Sequence, residues 1–168
     1  MFIKKIVLTL AAAAACFIIG AGTASAQPVT DTVDVTYEVA SITQLNLNGS
    51  ALVRIVAGTA GAGLPSVTDS TGVTYDITNN AGAGSMKLIG SINTAMPANT
   101  VLSVNVTAPS GAVSAGFVAL TASDQDLVTG IDNVNEALVP MSFKLDATVA
   151  AGIIASATKT FTMTVIGS

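Results

Sequence analysis

The chain has 168 residues, of which 10% are charged and 51% hydrophobic, with no histidine, one cysteine and a formal net charge of −4. Without histidine, Ser-His-Asp and Cys-His catalysis and ordinary zinc sites are excluded. A weakly acidic chain with few, scattered cations also lacks the basic surface that nucleic acid or an anionic membrane requires.

The first stretch reads as an address. Lys4 and Lys5 precede an apolar run from Ile6 to Ile19, followed by Gly20, Gly22 and the small-residue site Ala24-Ser25-Ala26. This is the pattern of a secretory signal peptide over residues 1–26. Its apolar core is short for a membrane span. An uncleaved N-terminal anchor is the alternative; a lipoprotein signal at Ala14-Ala15-Cys16 fits less well, because Phe17, Ile18 and Ile19 follow Cys16 and place it inside the apolar run. Removal of residues 1–26 takes the only cysteine with it, so the exported chain is expected to hold together without a disulfide. Arg54, Lys87, Lys144 and Lys159 then stand against all ten acids.

Val29 to Val39 carries the clearest strand pattern. Val33, Val35, Tyr37 and Val39 alternate with Thr32, Asp34, Thr36 and Glu38, the period of two expected of a strand with one apolar edge. Ile42 to Asn48 follows with Ile42, Leu45 and Leu47. The turn Asn48-Gly49-Ser50 and a compact apolar run from Leu52 to Val56, expected as a strand, come next. Residues 57–65 are a Gly- and Ala-rich loop whose glycine order is not that of a phosphate-binding fingerprint.

Alternation returns at Val73, Tyr75 and Ile77, at Met86, Leu88 and Ile92, and at Leu102, Val104 and Val106. Asn79 to Ser85, Asn93 to Asn99 and Pro109-Ser110-Gly111 read as connections. A short strand is expected around Phe117, Val118 and Leu120. Ser123 to Asn135 reads as the most polar loop, anchored by Val128 and Ile131. The last alternating segments hold Met141, Phe143 and Leu145, then Phe161, Met163 and Val165, with the small apolar stretch Ala150 to Ala155 between them. About eight short strands separated by turn signals predict an all-β sandwich or barrel.

Chemistry is sparse. Lys87, Lys144 and Lys159 lie in or beside alternating segments and read as solvated rather than as partners of a nucleophilic serine. Asp124, Asp126, Asp132, Asn133 and Glu136 could line a calcium loop. The run fails the EF-hand spacing, however, since Val128 falls at a ligand position, and a solvated loop is the expectation. The same acids lack the tryptophan and tyrosine platform of a glycosidase. Asn48-Gly49-Ser50 and Asn105-Val106-Thr107 match glycosylation sequons, but matches this short arise by chance. The expectation is a non-enzymatic protein without cofactor or metal.

Both ends of the chain resemble one family. VTDTVDVTYEVASITQLNLNGSAL, Val29 to Leu52, is similar to the mature start of the CS1/CFA-I-type fimbrial major subunits, pilins of the alternate chaperone–usher class. Phe161-Thr162-Met163-Thr164-Val165-Ile166-Gly167-Ser168 is similar to their closing strand. The middle of the chain does not align, and the Tyr/Gly-bearing approach to the last strand is replaced by the Ala-rich Ala150 to Lys159. The resemblance implies an immunoglobulin-like β-sandwich of seven or eight strands over residues 41–168, with residues 27–40 as an N-terminal strand donated to the next subunit. Val29, Val33, Val35, Tyr37 and Val39 would be the donor positions. It further implies a fimbrial (pilus) subunit at the cell surface, reached through the periplasm with a chaperone and an outer-membrane usher, and supporting adhesion. Two fates fit the Val29–Val39 pattern equally: donation to another copy, or the first strand of the chain's own sandwich. A monomeric secreted sandwich that binds surface or cell-wall glycan through residues 57–65 and 123–136 is the alternative function.

Overall fold

The computed structural model describes residues 29–82 and 86–168. The expected export signal lies outside the described residues, as does the end of the Asn79–Ser85 connection. The chain divides into two units between Tyr37 and Glu38. In the first, residues 29–37 form no strand, which corrects the expectation of one from Val29 to Val39.

The second unit is an all-β sandwich with ten strands among the described residues: β1 (Thr43–Asn48), β2 (Val67–Asp69), β3 (Thr74–Asn79), β4 (Met86–Ile92), β5 (Thr100–Val106), β6 (Val113–Ser114), β7 (Phe117–Ala119), β8 (Gln125–Ile131), β9 (Val134–Ala147) and β10 (Phe161–Gly167). Every pairing is antiparallel. One sheet runs β1-β3-β9-β5-β7, with β2 also on β9; the other runs β10-β4-β8-β6. The fold class is the one the alternation predicted. The strand count exceeds the expected seven or eight because β2, β6 and β7 are only two or three residues long.

Several boundaries move. The apolar run Leu52–Val56 forms no strand: Val53 packs on the core while Leu52 and Val56 are exposed. The expected polar loop Ser123–Asn135 is instead β8 and the start of β9. Val149–Ala151 is one turn of 3-10 helix, ended by Gly152 in the left-handed region at φ 65°.

β9 organises the first sheet. Its first half pairs with β3, and its second half lies between β5 and β2. Tyr75, Ile77, Val104, Val106 and Met141 from this sheet meet Leu88, Leu127, Val128 and Ile131 from the other, all essentially inaccessible to solvent. Phe143 of β9 and Phe161 of β10 join the two layers edge to face, with ring centroids 5.4 Å apart at 82°, a favoured aromatic geometry. Tyr75 is buried but keeps its polar end satisfied, its hydroxyl donating to the Thr107 carbonyl at 2.6 Å. Burial, and then the nearby Glu136, push its pKa up.

Candidate functional site

The two sides of the sandwich differ. On one side the sheets end in β7 and β6, of three and two residues. Very short edge strands are one way in which proteins blunt an exposed sheet edge. On the other side they end in β1 and β10, of six and seven residues, with the three-residue β2 carrying the first sheet's edge on along β9. β1 pairs with β3 over six consecutive residues and β10 with β4 over seven, neither with a register shift. Shifts occur only where β3 meets β9 and β4 meets β8. The sequences TQLNLN and FTMTVIG contain no charge and no proline. Lysine, proline and bulges are the usual guards of an edge, and both of these edges lack all three.

β1 and β10 also approach one another across the layers. Leu45 and the neighbouring Val53 on one side, and Phe161 and Val165 on the other, are only half-buried while packing on the core. Two unguarded edges with incompletely covered apolar residues between them can accept a further strand. Its main chain would find unpaired donors and acceptors, and its alternate side chains would complete the core. A shallow concavity of about 440 Å³ lies over β1 and β3, lined by Thr43, Gln44, Leu45, Asn46, Asp76, Ile77 and Thr78.

Asp76 fastens this region. Its carboxylate accepts from the Leu138 backbone N–H at 2.8 Å, and from the side-chain amides of Asn48 and Asn46 at 3.0 and 3.3 Å. Leu138 needs the tether because it holds φ at 56°, a region L-residues rarely occupy. Three more carboxylates tie segments together. Asp69 accepts from the N–H groups of Leu52 and Thr71, Glu136 from the hydroxyl and the N–H of Ser110, and Asp146 from the Ser66 hydroxyl. These hydrogen bonds hold all four carboxyls below their ordinary pKa values. A group whose pKa is lowered by folding stabilises the fold fully above its ordinary value and loses that contribution as pH falls through the lowered one. Thermal stability is therefore expected to hold from neutrality to about pH 5 and to fall below about pH 4. Asp76→Asn should flatten that fall, a comparison that circular dichroism melts at several pH values would settle.

The structure disperses the acids expected to share the 123–136 loop. Asp126 is on β8, with its carboxylate 2.8 Å from Lys87 Nζ. Glu136 is on β9 and engaged by Ser110. Among the described residues no group of three or more acidic or cysteine side chains could hold a metal ion. Lys144 pairs with Asp146 at 3.2 Å and lies over the Phe117 ring at 5.1 Å. Lys159 Nζ donates to Thr94 Oγ1 and the Ala95 carbonyl at 2.6 and 2.8 Å. The glycan-binding alternative loses one of its two loops, since residues 125–131 form a strand in the middle of a sheet.

The five candidate donor side chains are strongly exposed: Val29 97%, Val33 84%, Val35 76%, Tyr37 88% and Val39 80%. Sequence reasoning found this segment but not the edges of β1 and β10. The available signal was the absence of charge from both strands, which becomes informative only once their neighbours are known. Comparison of the chain with family models, curated proteins and solved structures finds no match.

Proposed function

We propose that the chain is an exported structural subunit of a surface fibre, a fimbria that supports adhesion, polymerising by strand donation. The N-terminal segment of one copy lies along β1 and β10 of the next and seats Val29, Val33, Val35, Tyr37 and Val39 between the sheets. The observation that carries this reading is the coincidence of two unguarded, unbulged edges with an alternating apolar segment that forms no strand within its own chain. An edge-seeking strand and a strand-accepting edge are the two halves of β-augmentation. Together they make a heterologous contact that repeats instead of closing.

Burying a valine or tyrosine side chain contributes roughly 1.5–3 kcal/mol, so five of them give roughly 8–15 kcal/mol. Ordering about ten residues costs a comparable roughly 10–20 kcal/mol, so the main-chain hydrogen bonds along the two edges have to supply the rest. Such a strand must not pair prematurely. The resemblance of the chain's ends to the CS1/CFA-I-type pilins supplies the partners for this reading: a periplasmic chaperone that covers the edges and an outer-membrane usher that exchanges it for the next subunit.

The test is assembly. Protein recovered from its native host should run as a ladder of multimers on an unheated gel and appear as filaments by negative stain. Deleting residues 29–39 should leave monomers only, with the melting temperature of the monomer unchanged. A native protein that is monomeric at all concentrations and shows no filament would sink the proposal. So would a deletion that unfolds the monomer, because the segment would then belong to its own sandwich.

A further inference from the structure

The strand registers define two poles of the sandwich. Thr43, Asn79, Met86, Ile131, Val134 and Gly167 share one. The residues leading into β1 are fixed there, as Asn80 donates from Nδ2 to the Ala40 carbonyl at 3.0 Å and from its backbone N–H to the Ile42 carbonyl at 3.0 Å. Ile92, Thr100, Ala147 and Phe161 share the opposite pole.

That opposite pole carries the loop from Thr148 to Thr160. Both ends of the loop are tied to the connection between β4 and β5. The Thr148 N–H donates to the Asn99 carbonyl at 3.0 Å and Asn99 Nδ2 to the Ala150 carbonyl at 3.3 Å; the Asn93 N–H donates to the Thr160 carbonyl at 3.0 Å. Between these ties the loop offers aliphatic side chains to solvent: Val149 is 70% exposed, Ile154 44% and Ile153 fully. From Ala147 to Thr158 there is no charged residue. A fixed, uncharged loop with its branched side chains turned outward has the character of a contact surface.

We propose that the 148–158 loop is the second contact between successive copies, packing on the β1-entry pole of the copy whose N-terminal segment it receives. This rests on the strand-donation reading and adds a docking residue set to it. The occupant follows from polarity. A donor segment leaves its own domain at the β1-entry pole, so that pole of the donor approaches the acceptor. If it met the same pole of the acceptor, the contact would be two-fold and would close a dimer. A contact that propagates sets it against the opposite pole, where Val149, Ile153 and Ile154 stand.

The test is Ile153→Asp in the full chain, compared with wild type and with the 29–39 deletion. Assembly of Ile153→Asp is expected to require about tenfold more protein, the effect of losing one apolar contact residue, while its monomer melts like wild type. If Ile153→Asp assembles as wild type does and the deletion is monomeric, the loop contact is overturned and strand donation stands. If wild type itself never assembles, both fall. Should the aspartate disturb folding, Ile153→Ser decides by the same readout, because a serine that leaves assembly unchanged also overturns the contact.

Discussion

Gly49→Ala is expected to destabilise the fold by about 2–4 kcal/mol, more than any other single methyl added to the described glycines. Gly49 follows the last residue of β1 and holds φ at +88°, so any side chain there is strained. Space is the larger obstacle. A Cβ would lie 1.6 Å from the Gly72 carbonyl oxygen and 2.8 Å from its carbonyl carbon. Both are main-chain atoms of the turn between β2 and β3, and no rotamer change can move them aside. Either that turn or the end of β1 must detach, which would also disturb one of the two proposed strand-accepting edges. Two controls separate strain from clash. Gly61 has nearly the same φ, +82°, with nothing within 4 Å of the added atom, so Gly61→Ala should cost only about 1 kcal/mol. At Gly90 the added atom meets Leu127 Cδ1 at 2.6 Å and the Phe161 ring at 2.8 Å, side chains that can shift, and Gly90→Ala should fall between the two. Urea denaturation gives the order directly. A Gly49→Ala protein within about 1 kcal/mol of wild type would show that the approach to Gly72 is not tight in solution.

What could be read from the sequence follows from how each strand is covered. β3, β4, β5 and β10 have one face on the core, and their alternation at Tyr75 and Ile77, at Leu88 and Ile92, at Leu102, Val104 and Val106, and at Met163 is plain in the order of the residues alone. β8 was unreadable for a specific reason. Its register against β4 shifts twice, and the consecutive residues Leu127 and Val128 are both buried. Bulging breaks the period, and Asp124, Asp126 and Asp132 complete the appearance of a loop. Leu52–Val56 and Val29–Val39 err in the other direction. Each has the composition of a strand, yet neither has a partner strand within the described chain. Periodicity reports that a segment can present one apolar edge. It does not report which sheet receives that edge. For Leu52–Val56 the answer is a covering segment, with Val53 resting on the core. For Val29–Val39 no sheet among the described residues receives the edge, and the strand-donation proposal supplies one from another copy. The candidate site was thus half legible: the donor pattern is local, whereas an unguarded edge is a property of sheet order.

Phe143→Ala is expected to cost about 3–5 kcal/mol, the range for deleting a buried aromatic side chain, and to lower the melting temperature by roughly 10–20 °C for a domain of this size. Phe143 lies where β9 is flanked on both sides, opposite Val104 of β5 and Asp69 of β2. Main-chain pairing on each edge prevents β9 from collapsing into the space left behind, so the cavity term should persist in full. Its ring also contacts Phe161, the residue that opens β10 at the far pole, so part of the loss should be felt across the layers. Phe161→Ala, on a half-buried residue, should cost less, about 1–2 kcal/mol. Because the rings touch, the double variant should lose less than the sum of the two single losses. That coupling is the decisive measurement. Strict additivity in a double-mutant cycle would mean that the edge-to-face pair does not join the two sheets. A coupling of about 0.5–1.5 kcal/mol would place the join between the layers at the start of β10, the strand whose outer edge is proposed to receive the next copy. A loosened β10 should then lower assembly even where the monomer remains folded.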